Sequence, residues 1–311
     1  MSTAFFFPGQ GSQAVGMGRS LYDTDSAARN VFEEVDEALG EKLSTVIFEG
    51  PDDQLRLTEN AQPALMATSL AVVRALEARR KQPLGEMGAF VAGHSLGEYS
   101  ALAAAGALSI GDAARLLRLR GRSMQTAVPV GEGAMAAVLG LELGDVEAVA
   151  SEASGDQVCD VANDNAPGQV VVSGHKEAVE RAVEIAKAKG AKRSLLLPVS
   201  APFHCSLMAP AAEAVGEALK DIAFAKPALP VLTNVSAAPE DDPDMLKKAL
   251  IEQVTARVRW RESVLALMGQ GVDQSIELGA GKVLTGLAKR IDRSLGAQAI
   301  GSVDDLEAYL A

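Results

Sequence analysis

Apolar positions along this chain fall into short runs that alternate with longer stretches of helical spacing. Thr3 to Phe7 is a short aromatic stretch ended by Pro8 and Gly9, which predicts a buried strand. Ser26 to Leu39 sets Val31, Val35 and Leu39 against Glu33, Glu34 and Glu37, a helix with Gly40 as its stop. Pro63, near the start of ALMATSLAVVRALEARR, suits the first turn of another helix. A second short strand is predicted over Ala89 to Ala92 and a helix over Leu96 to Ala105, so the local order is strand, tight turn, helix. Asp112 to Gln125 predicts a further helix and Lys226 to Asn234 a strand after a proline-marked loop. Ser275 to Leu278 is a last strand before Gly279, Gly281 and the helical KVLTGLAKRID. Strands alternating with helices imply a largely parallel sheet covered on both faces, the α/β class.

Between about Gly133 and Val199 the rhythm changes. Strands over Ala134 to Leu139, Val158 to Asn163, Val170 to Ser173 and Ser194 to Leu197 are interleaved with helices over Glu142 to Ser154 and Lys176 to Lys189. That β-α-β-β-α-β order is the signature of a ferredoxin-like unit. The expected organisation is an α/β core of residues 1–130 and 199–311 with an inserted subdomain of residues 131–198. Ligand sites favour the cleft between two such bodies.

Composition narrows the function. Hydrophobic residues make up 48% and charged residues 23%, ordinary for a soluble globular chain, while aromatic residues reach only 4%, so packing rests on Ala, Leu and Val. A net charge of -12 argues against nucleic acid as a partner, because a phosphate backbone is bound through clustered Lys and Arg. Two cysteines, Cys159 and Cys205, are too few and too far apart for a disulfide framework or a metal site, which fits a reducing cytosol. The stretch MSTAFFFPGQGSQ has no cationic start and does not read as a signal peptide; no apolar run approaches the roughly 18 residues of a membrane span. A cytoplasmic protein without a membrane, metal or redox cofactor is expected.

Two glycine motifs are decoys. GQGSQA, Gly9 to Ala14, matches the loose dinucleotide pattern, but Glu33 and Glu34 fall inside a helix where the pattern needs an acid ending a second strand. GAGK, Gly279 to Lys282, has Ile276 where a phosphate loop needs its first glycine and Val283 where it needs Ser or Thr.

GHSLG, Gly93 to Gly97, is different because a strand precedes it and a helix follows. The turn crowds the positions two before and two after the serine, so both are glycine. It projects the Ser95 hydroxyl, while the N–H of Leu96 can face a developing oxyanion. The alternative is a helix-capping serine. A serine nucleophile needs a base, and there are three histidines. His94 should point off the other side of the turn, and His175 begins a helix of the insert at a solvated terminus. His204, in PVSAPFHCSLMAP, lies between a strand end and a helix start, where catalytic side chains commonly sit; a buried structural histidine is its alternative. No acid sits in a motif that marks it as the third member of a triad. Cys205 reads as a buried, inert thiol.

Helical geometry isolates one arginine. At about 100° per residue, Arg115, Arg118 and Arg122 share a solvated face, whereas Arg120 falls among Ala113, Leu116, Leu117 and Met124. A guanidinium on an apolar face stays charged and needs an anion, either an internal carboxylate or the carboxylate of a ligand.

FPGQGSQ, TENAQPALM, GHSLGEYSAL, RLRGRSMQ, NAPGQVVVSG, VSAPFHCSLM and ELGAGKVLTGLAKRI, in this order and spanning nearly the whole chain, resemble the malonyl-CoA:acyl carrier protein transacylases of fatty acid synthesis. The resemblance implies an α/β-hydrolase-like core with a ferredoxin-like insert. It also implies ping-pong transfer of malonyl from coenzyme A to the acyl carrier protein thiol through a malonyl-Ser95 ester, with His204 as base and acid. Gln10 and Leu96 would supply oxyanion N–H groups, Arg120 would hold the malonyl carboxylate, and the Gln253 backbone carbonyl would accept from His204. Asp164 and Ala166 depart from the family's asparagine-rich loop, and the bulky Phe203 favours malonyl over a branched acyl group. The carrier protein is acidic in this family, which points to Arg115, Arg118 and Arg122, or Lys187, Lys189, Lys192 and Arg193, as a docking patch. A monomer is expected. The rivals are a transferase serving polyketide synthesis, an esterase or thioesterase, which has no need of Arg120, and a non-catalytic carrier-binding module, which has no need of Ser95.

Overall fold

The aromatic strand near the N-terminus can be buried on both faces only inside a sheet, and there it lies. In the computed structural model, which describes residues 2–199 and 201–311, the chain forms β1 (Thr3–Phe7), β2 (Phe90–Gly93), β3 (Gly133–Leu139), β4 (Cys159–Ala166), β5 (Gln169–His175), β6 (Arg193–Leu196), β7 (Val231–Leu232), β8 (Pro239–Glu240), β9 (Gln274–Leu278) and β10 (Gly296–Ile300). Ser200, inside the VSAPFHCSLM stretch, lies outside the described residues.

One sheet has the order β10-β9-β1-β2-β7-β8 and is parallel except at β8. Successive side chains of β1 point to opposite faces. Phe5 and Phe7 enter the large core under the helices Ser26–Leu39 and Thr58–Arg80, while Phe6 packs edge-on against Trp260 at 5.1 Å on the other face. Each such ring stabilises by about 1.5–3 kcal/mol, and together they fix β1 at the sheet centre.

The helix Ser26–Leu39 starts where Asp25 accepts from the N–H groups of Ala27 and Ala28, and stops at left-handed Gly40. Two other sequence expectations are corrected. The helix containing Pro63 begins five residues earlier, at Thr58, so the proline sits inside it. Its missing N–H costs one bond to Glu59, and close packing against the helix Ile110–Thr126 compensates: a side chain at Gly121 would come within 2.6 Å of Glu59 Cα. The strand expected over Lys226 to Asn234 shrinks to Val231–Leu232, because Pro227 and Pro230 have no N–H to give to a ladder.

The second sheet is antiparallel with the order β4-β5-β3-β6. The helices Leu143–Ser154 and Lys176–Ala188 cover one face through an alanine and valine core that includes Val138, Val149, Val172 and Val179. This is the ferredoxin-like order. The segment around Val258 stitches it to the large sheet, with Val258 N–H donating to Ala162 at 2.8 Å and Asp164 N–H to Val258 at 2.9 Å. Asp164 is fully buried and pairs with Arg261 at 2.9 Å, so this acid serves the junction. No helix among the described residues is long and apolar enough to cross a membrane.

Candidate active site

The turn between β2 and the helix Gly97–Ala104 holds Ser95 at φ 54°, a left-handed conformation that L-residues other than Gly and Asn rarely adopt. Two contacts enforce it. A Cβ at Gly93 would lie 1.9 Å from the Gly97 carbonyl, and one at Gly97 would lie 2.2 Å from the Phe7 carbonyl, so glycine is obligatory at both. Asn234, just beyond β7, braces the turn by accepting from Ser95 N–H at 2.7 Å and donating to the Gly93 carbonyl at 2.7 Å.

His204 lies between β6 and the helix Ala209–Lys220, also left-handed at φ 57°, and its Nε2 is 2.7 Å from Ser95 Oγ. Its Nδ1 is 2.9 Å from the Gln253 backbone carbonyl, which can only accept. Nδ1 therefore carries the proton, and Nε2 presents a lone pair to the Ser95 hydroxyl. The third position is thus taken by a backbone carbonyl. Burial, reinforced by the nearby Arg120 charge, pushes the His204 imidazole down to about 3, so it is neutral in the resting site.

Arg120, 1% exposed, reaches the same point from the helix Ile110–Thr126. Its Nη2 donates to Ser95 Oγ at 3.0 Å and to Gln253 Oε1 at 2.9 Å, its Nη1 to Gln62 Oε1 at 2.8 Å, and its guanidinium lies over the Tyr99 ring at 5.6 Å. Every hydrogen-bonding partner is neutral. Among the described residues no carboxylate lies within ion-pair distance of Arg120, and its Nε has no partner. Desolvation by burial pulls its pKa down.

Ser95, His204 and Arg120 open onto a cavity of about 420 Å³ that Gln10, Leu96, His94, Asn165 and Phe203 also line. Its size and its position between the two sheets suit a small acyl group with a longer chain leading out. Gln10 and Leu96 thus line one cavity with Ser95. The Leu96 N–H is not drawn into the brace that holds Ser95 N–H.

Several expectations change. His94 does not leave the site: its Nε2 meets Asn165 Oδ1 at 2.8 Å and its ring lies 5.7 Å from Trp260, where burial keeps it neutral. His175 is not simply solvated, since its Nδ1 accepts from Val158 N–H at 2.9 Å. Arg118, expected on the solvated face, is 7% exposed and engages Glu41 and Asn60. Helical angle identifies a direction, and neighbouring elements decide what covers it. Cys205 is buried as expected, with its thiol pushed up to about 11 by desolvation. GAGK holds no phosphate site: the N–H groups of Leu284 and Thr285 at the following helix terminus are taken by the buried Glu277 carboxylate at 3.1 and 2.7 Å.

Gln62, Asn234, Glu98 and the side chain of Gln253 were missed as site residues. The signal for Glu98 was the one that found Arg120, a charged group within an otherwise apolar helix. Gln62 and Asn234 carry no such mark, because an amide is tolerated anywhere.

The acyl transferase domain family model matches residues 4–302. A malonyl CoA-acyl carrier protein transacylase of Bacillus subtilis is 47% identical over 98% of this chain and 95% of its own length. The crystal structure of an acyl-carrier-protein-S-malonyltransferase from Bartonella henselae superposes with a TM-score of 0.97 at 55% identity, covering 100% of this chain and 98% of that one. A malonyl-transacylase in complex with a type II PKS acyl-carrier protein superposes at 0.96 with 42% identity, covering 100% and 99%. The fold, the full-length match and the identity agree, and the chain belongs to the acyl transferase domain family, among its malonyl CoA-acyl carrier protein transacylases.

Proposed function

We propose that this enzyme moves a malonyl group from coenzyme A to the phosphopantetheine thiol of acyl carrier protein, with Ser95 as nucleophile, His204 as base and acid, and Arg120 as the carboxylate receptor. One observation carries the assignment of Arg120: a buried guanidinium beside the nucleophile has only neutral hydrogen-bond partners. A charge so placed is stabilised when an anion arrives, and a malonyl carboxylate can take both Nη groups at once.

In the first half-reaction Ser95 Oγ gives its proton to His204 Nε2 and bonds to the thioester carbon. The oxyanion is held by the N–H groups of Leu96 and Gln10. On collapse the C–S bond breaks, and the imidazolium returns the proton to the coenzyme A sulfur. In the second half-reaction the carrier thiol loses its proton to His204, its sulfur attacks the ester, and Ser95 Oγ leaves with that proton. Arg120 links specificity to reactivity, because its charge opposes an imidazolium at His204. A carboxylate on Arg120 offsets that charge and makes His204 a better base. No cofactor is needed; the coenzyme A thioester is a substrate. The catalytic core is assigned to 1–130 with 199–311, and 131–198 forms the wall opposite.

Mixing the enzyme with malonyl-CoA alone and reading intact mass tests this. A malonyl adduct on Ser95 that waits for carrier thiol is expected; rapid release of free malonate without an adduct would make the enzyme a thioesterase. Whether the natural carrier belongs to fatty acid or polyketide synthesis is decided by comparing transfer to carriers of each kind. We further propose a cytoplasmic monomer, to be checked by cell fractionation and sedimentation.

A further inference from the structure

Glu98 is fully buried on the helix after the Ser95 turn, and the reaction above gives it nothing to do. Its Oε2 accepts from Gln253 Nε2 at 2.7 Å and from Asn234 N–H at 3.0 Å, while its Oε1 has no partner among the described residues. Gln253 Nε2 also donates to the Ser95 carbonyl at 3.0 Å, which leaves Gln253 Oε1 facing Arg120 Nη2 at 2.9 Å. An amide rotated by 180° would set NH₂ against guanidinium and oxygen against carboxylate. Burial pushes the Glu98 carboxyl up to about 7, so its hold on the amide lies in the acceptor it offers: the bonds from Gln253 Nε2 to Glu98 Oε2 and from Arg120 Nη2 to Gln253 Oε1 together set which way round the amide lies.

We propose that Glu98 is a positioning residue for acyl selection. It fixes the Gln253 amide, the amide fixes one edge of the Arg120 guanidinium, and the guanidinium admits acyl groups that end in a carboxylate. The inference rests on the malonyl reading of Arg120. It predicts an effect on the choice between acyl groups rather than on acylation as such, which a merely structural role would not produce.

The test compares kcat/KM for Ser95 acylation by malonyl-CoA and by acetyl-CoA, read as adduct formation by intact mass. In Glu98→Met the malonyl-to-acetyl ratio is expected to fall about tenfold, the scale of one hydrogen bond. Most of the change should appear in KM for malonyl-CoA. Glu98→Gln keeps an acceptor oxygen for Gln253 Nε2 and should hold the ratio within about threefold of wild type. If Glu98→Met does not fold, Gln253→Met cuts the same link from the other side and should lower the ratio alike. An unchanged ratio in a folded variant, an equal loss with both thioesters, or a Glu98→Gln ratio as low as that of Glu98→Met would overturn the proposal. Failure of wild type to prefer malonyl-CoA would instead overturn the reading of Arg120.

Discussion

Arg118 and Arg120 stand two residues apart on one helix, and both are buried, yet their surroundings differ in kind. Arg118 meets Glu41 directly and Glu59 at 3.9 Å, so its charge is answered by the protein. Arg120 touches two glutamines, a serine hydroxyl and the Tyr99 ring, and the buried Glu98 carboxylate acts on it only from across the Gln253 amide, so its charge has no anion in direct contact. A buried guanidinium in contact with a carboxylate is part of the scaffold; one in contact only with amides, an aromatic ring and a nucleophile holds a place for an anion from outside. Burial alone would not have separated them.

Four outcomes would sharpen or break this contrast. The largest is Ser95→Ala, which removes the group that makes the Arg120 surroundings a reaction site; transfer should fall by about 10⁴-fold or more with no malonyl adduct by mass. Next, Arg120→Met should lower kcat/KM for malonyl-CoA by about 100-fold or more, the loss of a bidentate charged contact, and affect acetyl-CoA far less. Arg118→Met should leave kcat/KM within about threefold and instead cost about 1–2 kcal/mol of stability in denaturant unfolding, reduced from a fully buried pair because Glu41 is half-exposed. Equal kinetic damage from the two would end the comparison.

The third outcome concerns pH. His204 is held near 3 by burial and by Arg120, so below its ordinary 6.5 the unfolded chain takes up a proton that the native chain refuses. Its contribution to stability is therefore lost as pH falls from 6.5 towards 3. Arg120→Met should raise the His204 midpoint and leave part of the depression, since desolvation persists, whereas Arg118→Met should not move it; imidazole NMR titration reads both. The smallest effect is expected from Glu59→Gln, which weakens the partly exposed partner shared by Arg118 and Arg122 and should change stability by about 0.2–1 kcal/mol, with transfer unaffected.

Much of this was legible before any coordinates. β1 and the helix Ser26–Leu39 ended where the apolar pattern and their stop residues said, because both are set by local rules. The order of the insert was readable for the same reason. Pro63 misled because the turn before it is held by packing on Gly121, a neighbour distant in sequence. Ion pairs were likewise out of reach of helical angle: Arg115, Arg118 and Arg122 pair with Asp112, Glu41 and Glu59, and Lys187 and Lys189 with Glu184 and Glu152. In the site, Ser95, His204 and Arg120 were singled out by residue type and phase. Gln62, Asn234 and the Gln253 side chain were not, because the significance of an amide lies in what it faces.

The most direct test is a crystal structure of the malonylated enzyme. The account predicts an ester on Ser95 Oγ with the malonyl carboxylate about 3 Å from both Arg120 Nη atoms, displacing the bond now made to Ser95. A malonyl carboxylate turned to solvent, with Arg120 still bonded to Gln62, Gln253 and Ser95 Oγ, would contradict it.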